Sequence, residues 1–325
     1  VHVGTSQMMS VPYALYAENI NMDSVSDYLT NDSSFMANVG GGENQVESSD
    51  FENQTSNNDF NNNITTQIPQ ALDGKKVIIY STDKSIFLTD SVGSFTSVLY
   101  SVESNFIGNL TSNASGDTLY FLQSADNGTA TPNIMMTSIN NINPVVVGSV
   151  PCLQSELRQF KYFNGNFYYL KTTDLLEISN GSPSVLNGTD NNYCLTVDIS
   201  GTIYRSYYSS GSLINGTSYT GPIYEYLFDI DVSESENRIY FWRSASGGDI
   251  GYWDLNSNST TILFTADGSY ESSTTEGEQV VRFHDGFVYF NQGKSLFSVQ
   301  NDGSNSRIIS SSNDAYNITG IVIVD

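Results

Sequence analysis

Apolar and polar residues alternate in short runs along this chain, and one kind of run keeps returning. It reads Lys76-Val-Ile-Ile-Tyr80, Asp117-Thr-Leu-Tyr-Phe121, Asn166-Phe-Tyr-Tyr-Leu170, Gly201-Thr-Ile-Tyr-Arg205, Asn237-Arg-Ile-Tyr-Phe241 and Gly286-Phe-Val-Tyr-Phe290. Each run is β-branched and aromatic, as a strand requires, and follows a turn built from Gly, Asn, Asp or Ser. A more upstream strand is expected before each turn: Tyr193–Asp198, Tyr226–Val232 and Gln279–Phe283 are examples. Further strands and turns follow, clearest in Asp249–Asn256, Ser295–Gly303 and Ser306–Ile309. The runs return every roughly 36 to 49 residues, the length of a four-stranded propeller blade and too long for a leucine-rich repeat.

The pattern therefore predicts an all-β chain, a six-bladed β-propeller over residues 68–325. The end of the chain, Ile318-Thr-Gly-Ile-Val-Ile-Val-Asp325, reads as an inner strand with no hairpin after it. Asp73–Tyr80 supplies the missing continuation, so the C-terminal strand is expected to complete the first blade and remove an open edge.

Asn237-Arg-Ile-Tyr-Phe-Trp-Arg243, Ile250-Gly-Tyr-Trp-Asp-Leu255 and Leu296–Asn305 resemble YWTD propellers of the low-density-lipoprotein-receptor class B kind. The likeness spans about Ile68 to Asp325, although the Tyr-Trp-Thr-Asp core is never complete. It implies a propeller and leaves a receptor-type ligand without support.

Ahead of the repeats the pattern changes twice. Residues 1–17 are apolar and aromatic, and residues 18–67 are rich in Asn, Asp, Ser and Glu. The opening Val3-Gly-Thr-Ser-Gln-Met-Met-Ser-Val-Pro-Tyr-Ala-Leu-Tyr-Ala17 resembles a junction in exported surface and fibre-like proteins of Bacteroidota. That resemblance implies the end of an anchoring or stalk module and an extracellular or outer-surface location. Val11, Tyr13, Leu15 and Tyr16 are too apolar for water and too few for a core, which marks them as partner-docking residues, for an upstream module, another protein or a second copy. The polar stretch 18–67 is expected to lie on the propeller or on a partner, with a short helix over 23–39. No signal-peptide pattern precedes Val1, so the chain is read as processed or truncated at that end.

Composition narrows the partners. With 12 basic against 35 acidic residues the formal net charge is −23, which disfavours nucleic acid and anionic membranes. No run of apolar residues is long enough to span a bilayer. Sequons at Asn31, Asn53, Asn63, Asn109, Asn113, Asn127, Asn180, Asn187, Asn215, Asn258 and Asn317 are compatible with export. The two cysteines, Cys152 and Cys194, fall near the starts of neighbouring inner strands, and a disulfide between adjacent blades is expected.

Propellers place ligand groups at the mouth of the central channel, so acids and arginines near inner strands are the binding candidates: Glu156, Arg158, Asp198, Asp229, Asp231 and Arg282, with Glu278 beside them. Asp229-Ile-Asp-Val-Ser-Glu-Ser-Glu236 lacks the glycine of a calcium loop and alternates as a strand does, so no cofactor is expected and Ca2+ has no motif. His284 sits in a turn without a nucleophile signature. The expectation is a non-enzymatic structural or adhesive component that binds protein. Glycan binding through Tyr207, Tyr208, Tyr219, Tyr224, Tyr252, Trp242 and Trp253 is the alternative, with glycosidase or lyase chemistry third.

Overall fold

The computed structural model describes residues 76–126, 128–171, 174–179, 181–187, 192–207, 213–215, 217–218, 227–243, 248–266, 279–311 and 317–324. The expected anchoring segment and polar stretch, with Val11, Tyr13, Leu15 and Tyr16, lie outside them.

The strands run in chain order as β1 (Val77–Thr82), β2 (Ser85–Asp90), β3 (Thr96–Ser101), β4 (Phe106–Ser112), β5 (Thr118–Ser124), β6 (Asn133–Ser138) and β7 (Asn141–Ser149). Next come β8 (Leu157–Phe163), β9 (Asn166–Lys171), β10 (Asp174–Ser179), β11 (Ser182–Asn187), β12 (Asn192–Val197), β13 (Ile203–Tyr207), β14 (Leu213–Asn215) and β15 (Thr217–Ser218). The rest are β16 (Leu227–Ser233), β17 (Arg238–Arg243), β18 (Asp249–Asp254), β19 (Ser259–Thr265), β20 (Val281–His284), β21 (Phe287–Gln292), β22 (Ser295–Gln300), β23 (Arg307–Ser311) and β24 (Ile318–Val324). They form antiparallel four-stranded sheets: β4 to β7, β8 to β11, β12 to β15, β16 to β19, β20 to β23, and a sheet ordered β24-β1-β2-β3. In the last, Val77 pairs with Val324 and Tyr80 with Ile321.

Local chemistry sets the hairpins. Phe163 pairs with Asn166 and His284 with Phe287, leaving two-residue loops Asn164-Gly165 and Asp285-Gly286. Both residues of each loop have positive φ, at 47° and 90°, and at 47° and 78°. Only such turns match the twist of the flanking strands, and Asn, Asp and Gly enter them at least cost.

The innermost strands lie side by side: β24 beside β4, β4 beside β8, then β12, β16 and β20 in turn, with β20 beside β24. The apolar cores fill the spaces between adjacent sheets. Ile79, Phe121 and Val322 belong to one, Tyr120, Phe160 and Tyr169 to the next, and Leu170 and Leu195 to a third. Ile230 and Trp253 pack in another, Tyr240, Trp242 and Phe290 in another, and Tyr80, Tyr289 and Ile321 in the last. Full burial of each large side chain contributes about 1.5–3 kcal/mol, so the sheets stack face to face around an axis rather than standing alone. The molecule is an all-β propeller.

Two expectations are corrected by this packing. Cys152 and Cys194 are both free, not disulfide-bonded. Cys152 packs between the β4–β7 and β8–β11 sheets with Leu157 and Tyr169, whereas Cys194 packs between the β12–β15 and β16–β19 sheets with Leu227 and Ile230. Different inter-sheet cores thus enclose the two sulfurs, and the Cys194 thiol instead pairs with Ser206 Oγ at 2.9 Å. Trp242 and Trp253, offered as sugar-stacking rings, are each only 2% exposed and belong to the core. Trp242 Nε1 donates to the Asn291 carbonyl at 3.2 Å, and Trp253 Nε1 to Asn258 Oδ1 at 3.1 Å.

Candidate binding site on the propeller axis

Inner strands carry side chains that point alternately into the blade cores and toward the axis. On β8, Phe160 enters a core while Gln159 and Lys161 line a cavity on the axis with Asn109 and Leu110 of β4, Asp229 of β16, Arg282 of β20, Gln279 and Val280 just before it, and Thr319 of β24. The cavity has room of about 20 Å³ for solvent. That is one small guest, far below the roughly 300–1,000 Å³ of a pocket for an organic ligand.

Asp229 is the hub. Its Oδ1 accepts from Gln159 Nε2 at 2.8 Å, and its Oδ2 accepts from the Val281 amide at 3.0 Å and Arg282 Nη1 at 2.6 Å. Lys161 Nζ stands 4.0 Å from Oδ1. Gln159 also donates to the Phe228 carbonyl at 3.1 Å and accepts from the Leu195 amide at 2.5 Å, so one side chain ties three sheets together. Asp231 accepts from the Phe283 amide at 2.8 Å and from Thr196 Oγ1 at 3.4 Å. Arg282 donates besides to the Val281 carbonyl.

Burial sets the protonation of this cluster. Desolvation, then the Arg282 charge, pushes the Lys161 ammonium down to about 8 despite the nearby aspartates. Desolvation raises the Asp231 carboxyl, with Arg282 and Lys161 opposing it. Desolvation alone would depress the Arg282 guanidinium, but Asp229 and Asp231 outweigh it and hold it above its ordinary value.

Of the candidates named from sequence, Asp229, Asp231 and Arg282 converge on the axis. Glu156, Arg158 and Asp198 do not. Glu156 closes a 3-10 turn, Gln154–Glu156, accepting from the Leu153 amide at 3.0 Å and facing Lys171 at 3.6 Å. Asp198 is spent on its own hairpin, where one oxygen accepts from the Ser200 amide, the Ser200 hydroxyl and the Thr202 amide at 2.9, 2.7 and 2.7 Å. Arg158 is half-buried on β8 and does not line the cavity. Glu278 lies outside the described residues, as do Tyr208, Tyr219, Tyr224 and the side chain of Tyr207. Tyr252 lies beneath the Arg238 guanidinium, 4.0 Å from its ring centre.

Sequence reasoning missed Asn109, Gln159, Lys161 and Gln279. Its search was for acids and arginines, whereas the signal was Gln159 and Lys161 alternating with Phe160 and Tyr162 along an inner strand. Asn109, counted as a sequon, instead lines the cavity with its backbone at φ 50°. Among the described residues no group of three or more His, Cys, Asp or Glu side chains is placed to hold a metal ion, and no helix is long and apolar enough to cross a membrane.

Solved propellers share this fold at low sequence identity. The chain is similar to a chain of the nidogen/laminin complex, with TM-score 0.56, 9% identity, and coverage of 77% of this chain and 98% of that one. It is also similar to a protein of unknown function from Bacteroides caccae, with TM-score 0.50, 10% identity, and coverage of 77% and 99%. No protein-family profile matches the sequence, and no curated protein does. The likeness is one of fold.

Proposed function

We propose that this protein is a non-enzymatic structural or adhesive component of the cell exterior, in which a rigid propeller presents its loops to a protein partner. The observation that carries this reading is the state of the axis. The buried Asp229 and half-buried Asp231, which a hydrolase would need as acid or base, are engaged by amides, a hydroxyl and an arginine from other sheets. The remaining room is too small for a sugar or a peptide side chain. This favours loops and outer surfaces as the place of recognition.

The six four-stranded sheets and the pairing of β24 with β1 support a six-bladed ring closed by the C-terminal strand. The propeller of the nidogen/laminin complex supports a protein-binding role by fold analogy alone. The export-type junction at Val3–Ala17 supports attachment through the N-terminal segment, with Val11, Tyr13, Leu15 and Tyr16 docking on the anchor or on a neighbouring copy. The test is affinity capture from native surface material, comparing the full chain with one lacking residues 1–17. A partner recovered only by the full chain supports the reading. Equal recovery by both refutes attachment through that segment.

A further inference from the structure

We propose that the outer rim formed by β7 and β11 is a contact surface for a second copy of this chain, packed rim to rim about a twofold axis.

The starting observation is where the exposed apolar side chains sit. Among the described residues, Val145, Val146 and Val147 on β7 and Val185 and Leu186 on β11 are all exposed, whereas β3, β19 and β23 present one large apolar residue each. β7 and β11 are the outermost strands of neighbouring sheets, whose inner strands β4 and β8 lie side by side. Single exposed apolar residues are ordinary on a protein surface, but runs of them on neighbouring edges mark a contact.

Charge selects the partner. The chain carries a formal net charge of −23, yet residues 127–155, which include β6 and β7, contain no Asp, Glu, Lys or Arg. Residues 178–189, which include β11, contain none either. A basic partner would be drawn to the acidic remainder of the surface. A partner as acidic as this chain is repelled except at a neutral strip, and it must bring a neutral strip of its own. A second copy meets both conditions at once, because a twofold contact sets the same patch of each copy against the other.

The backbone limits how the copies meet. Pro144 in β7 and Pro183 in β11 lack the N–H that an added strand would need. Both edges are thereby blunted against open-ended strand addition, and the contact is made by packed side chains in a closed pair.

The test is sedimentation velocity of the full chain over a concentration series, at about 10 mM and about 150 mM sodium chloride, between which the screening length falls from about 30 to about 8 Å. A monomer–dimer equilibrium that moves toward dimer at the higher salt is the expected result. Val146 is 60% exposed, so Val146→Glu spares the fold. It should weaken the dimer about tenfold or more by setting like charges face to face. Ile199→Glu makes the same charge change at an 84% exposed hairpin tip between β12 and β13, away from the rim, and should leave the dimer unchanged. A chain that is monomeric at every concentration and salt overturns the proposal, as does a dimer weakened equally by both substitutions or by neither. If a dimer untouched by Val146→Glu is lost on removing residues 1–17, association belongs to the N-terminal segment and not to the rim.

Discussion

Asp229 shows how one side chain can hold several sheets in place. Its carboxylate is bonded to β8 and β20 while its backbone belongs to β16. Replacing Asp229 with Ala leaves Arg282 and Gln159 buried without their acceptor, and removing one partner of such a pair costs about 3–5 kcal/mol. Urea denaturation of Asp229→Ala should show a loss of that order; a loss below about 1 kcal/mol would mean the axis is solvated instead. Lys161 gives a pH test. Its folded pKa, about 8, lies below the ordinary 10.5, so between these values the unfolded chain holds the extra proton. Stability therefore rises with pH across that window, and the rise should be missing in Lys161→Met. The cysteines give a third. Burial pushes the Cys152 thiol up to about 11 and the Cys194 thiol higher still. Native protein at pH 8 should not react with a thiol reagent, and denatured protein should titrate two thiols without reductant.

At the scale of the element, β24 passes β4 at a junction with no room for a side chain. A Cβ on Gly320 would lie 2.5 Å from Leu110 Cβ and 2.6 Å from Leu110 N, which is backbone that cannot rotate away. Gly320→Ala should cost about 1–3 kcal/mol through overpacking, read as a lower urea midpoint. Truncation after Ser311 deletes β24 and leaves β1 an open edge of buried Val77, Ile78, Ile79 and Tyr80. Light scattering should then find aggregates rather than monomer. Strands of this kind were legible in the sequence because period-2 patterning and turn chemistry act locally. Asn164-Gly165 and Asp285-Gly286 announce their hairpins, and the repeated tyrosine-bearing runs fall on β1, β5, β9, β13, β17 and β21. The cysteines were misread for the opposite reason. Two residues near neighbouring strands say nothing of which inter-sheet core each faces.

At the scale of the whole molecule, the candidate site was half legible. Asp229, Asp231 and Arg282 stood out as charges on apolar strands, and burial among so many apolar neighbours is stable only if such charges are paired. Their partners come from sheets 70 and 53 residues away, since Gln159 reaches Asp229 and Arg282 returns to it, and no local pattern encodes that meeting. The proposed role places partner binding at the periphery and the N-terminal segment. That segment, residues 1–67, contains no Lys or Arg, so amine-directed reagents would miss its side chains. Crosslinking of native surface material with a carboxyl-directed reagent, read by mass spectrometry, addresses the proposed role most directly. Crosslinks from residues 18–67 to a different protein or a second copy are the predicted result. Crosslinks confined to a single copy of the chain, with glycan capture by the propeller, would contradict it.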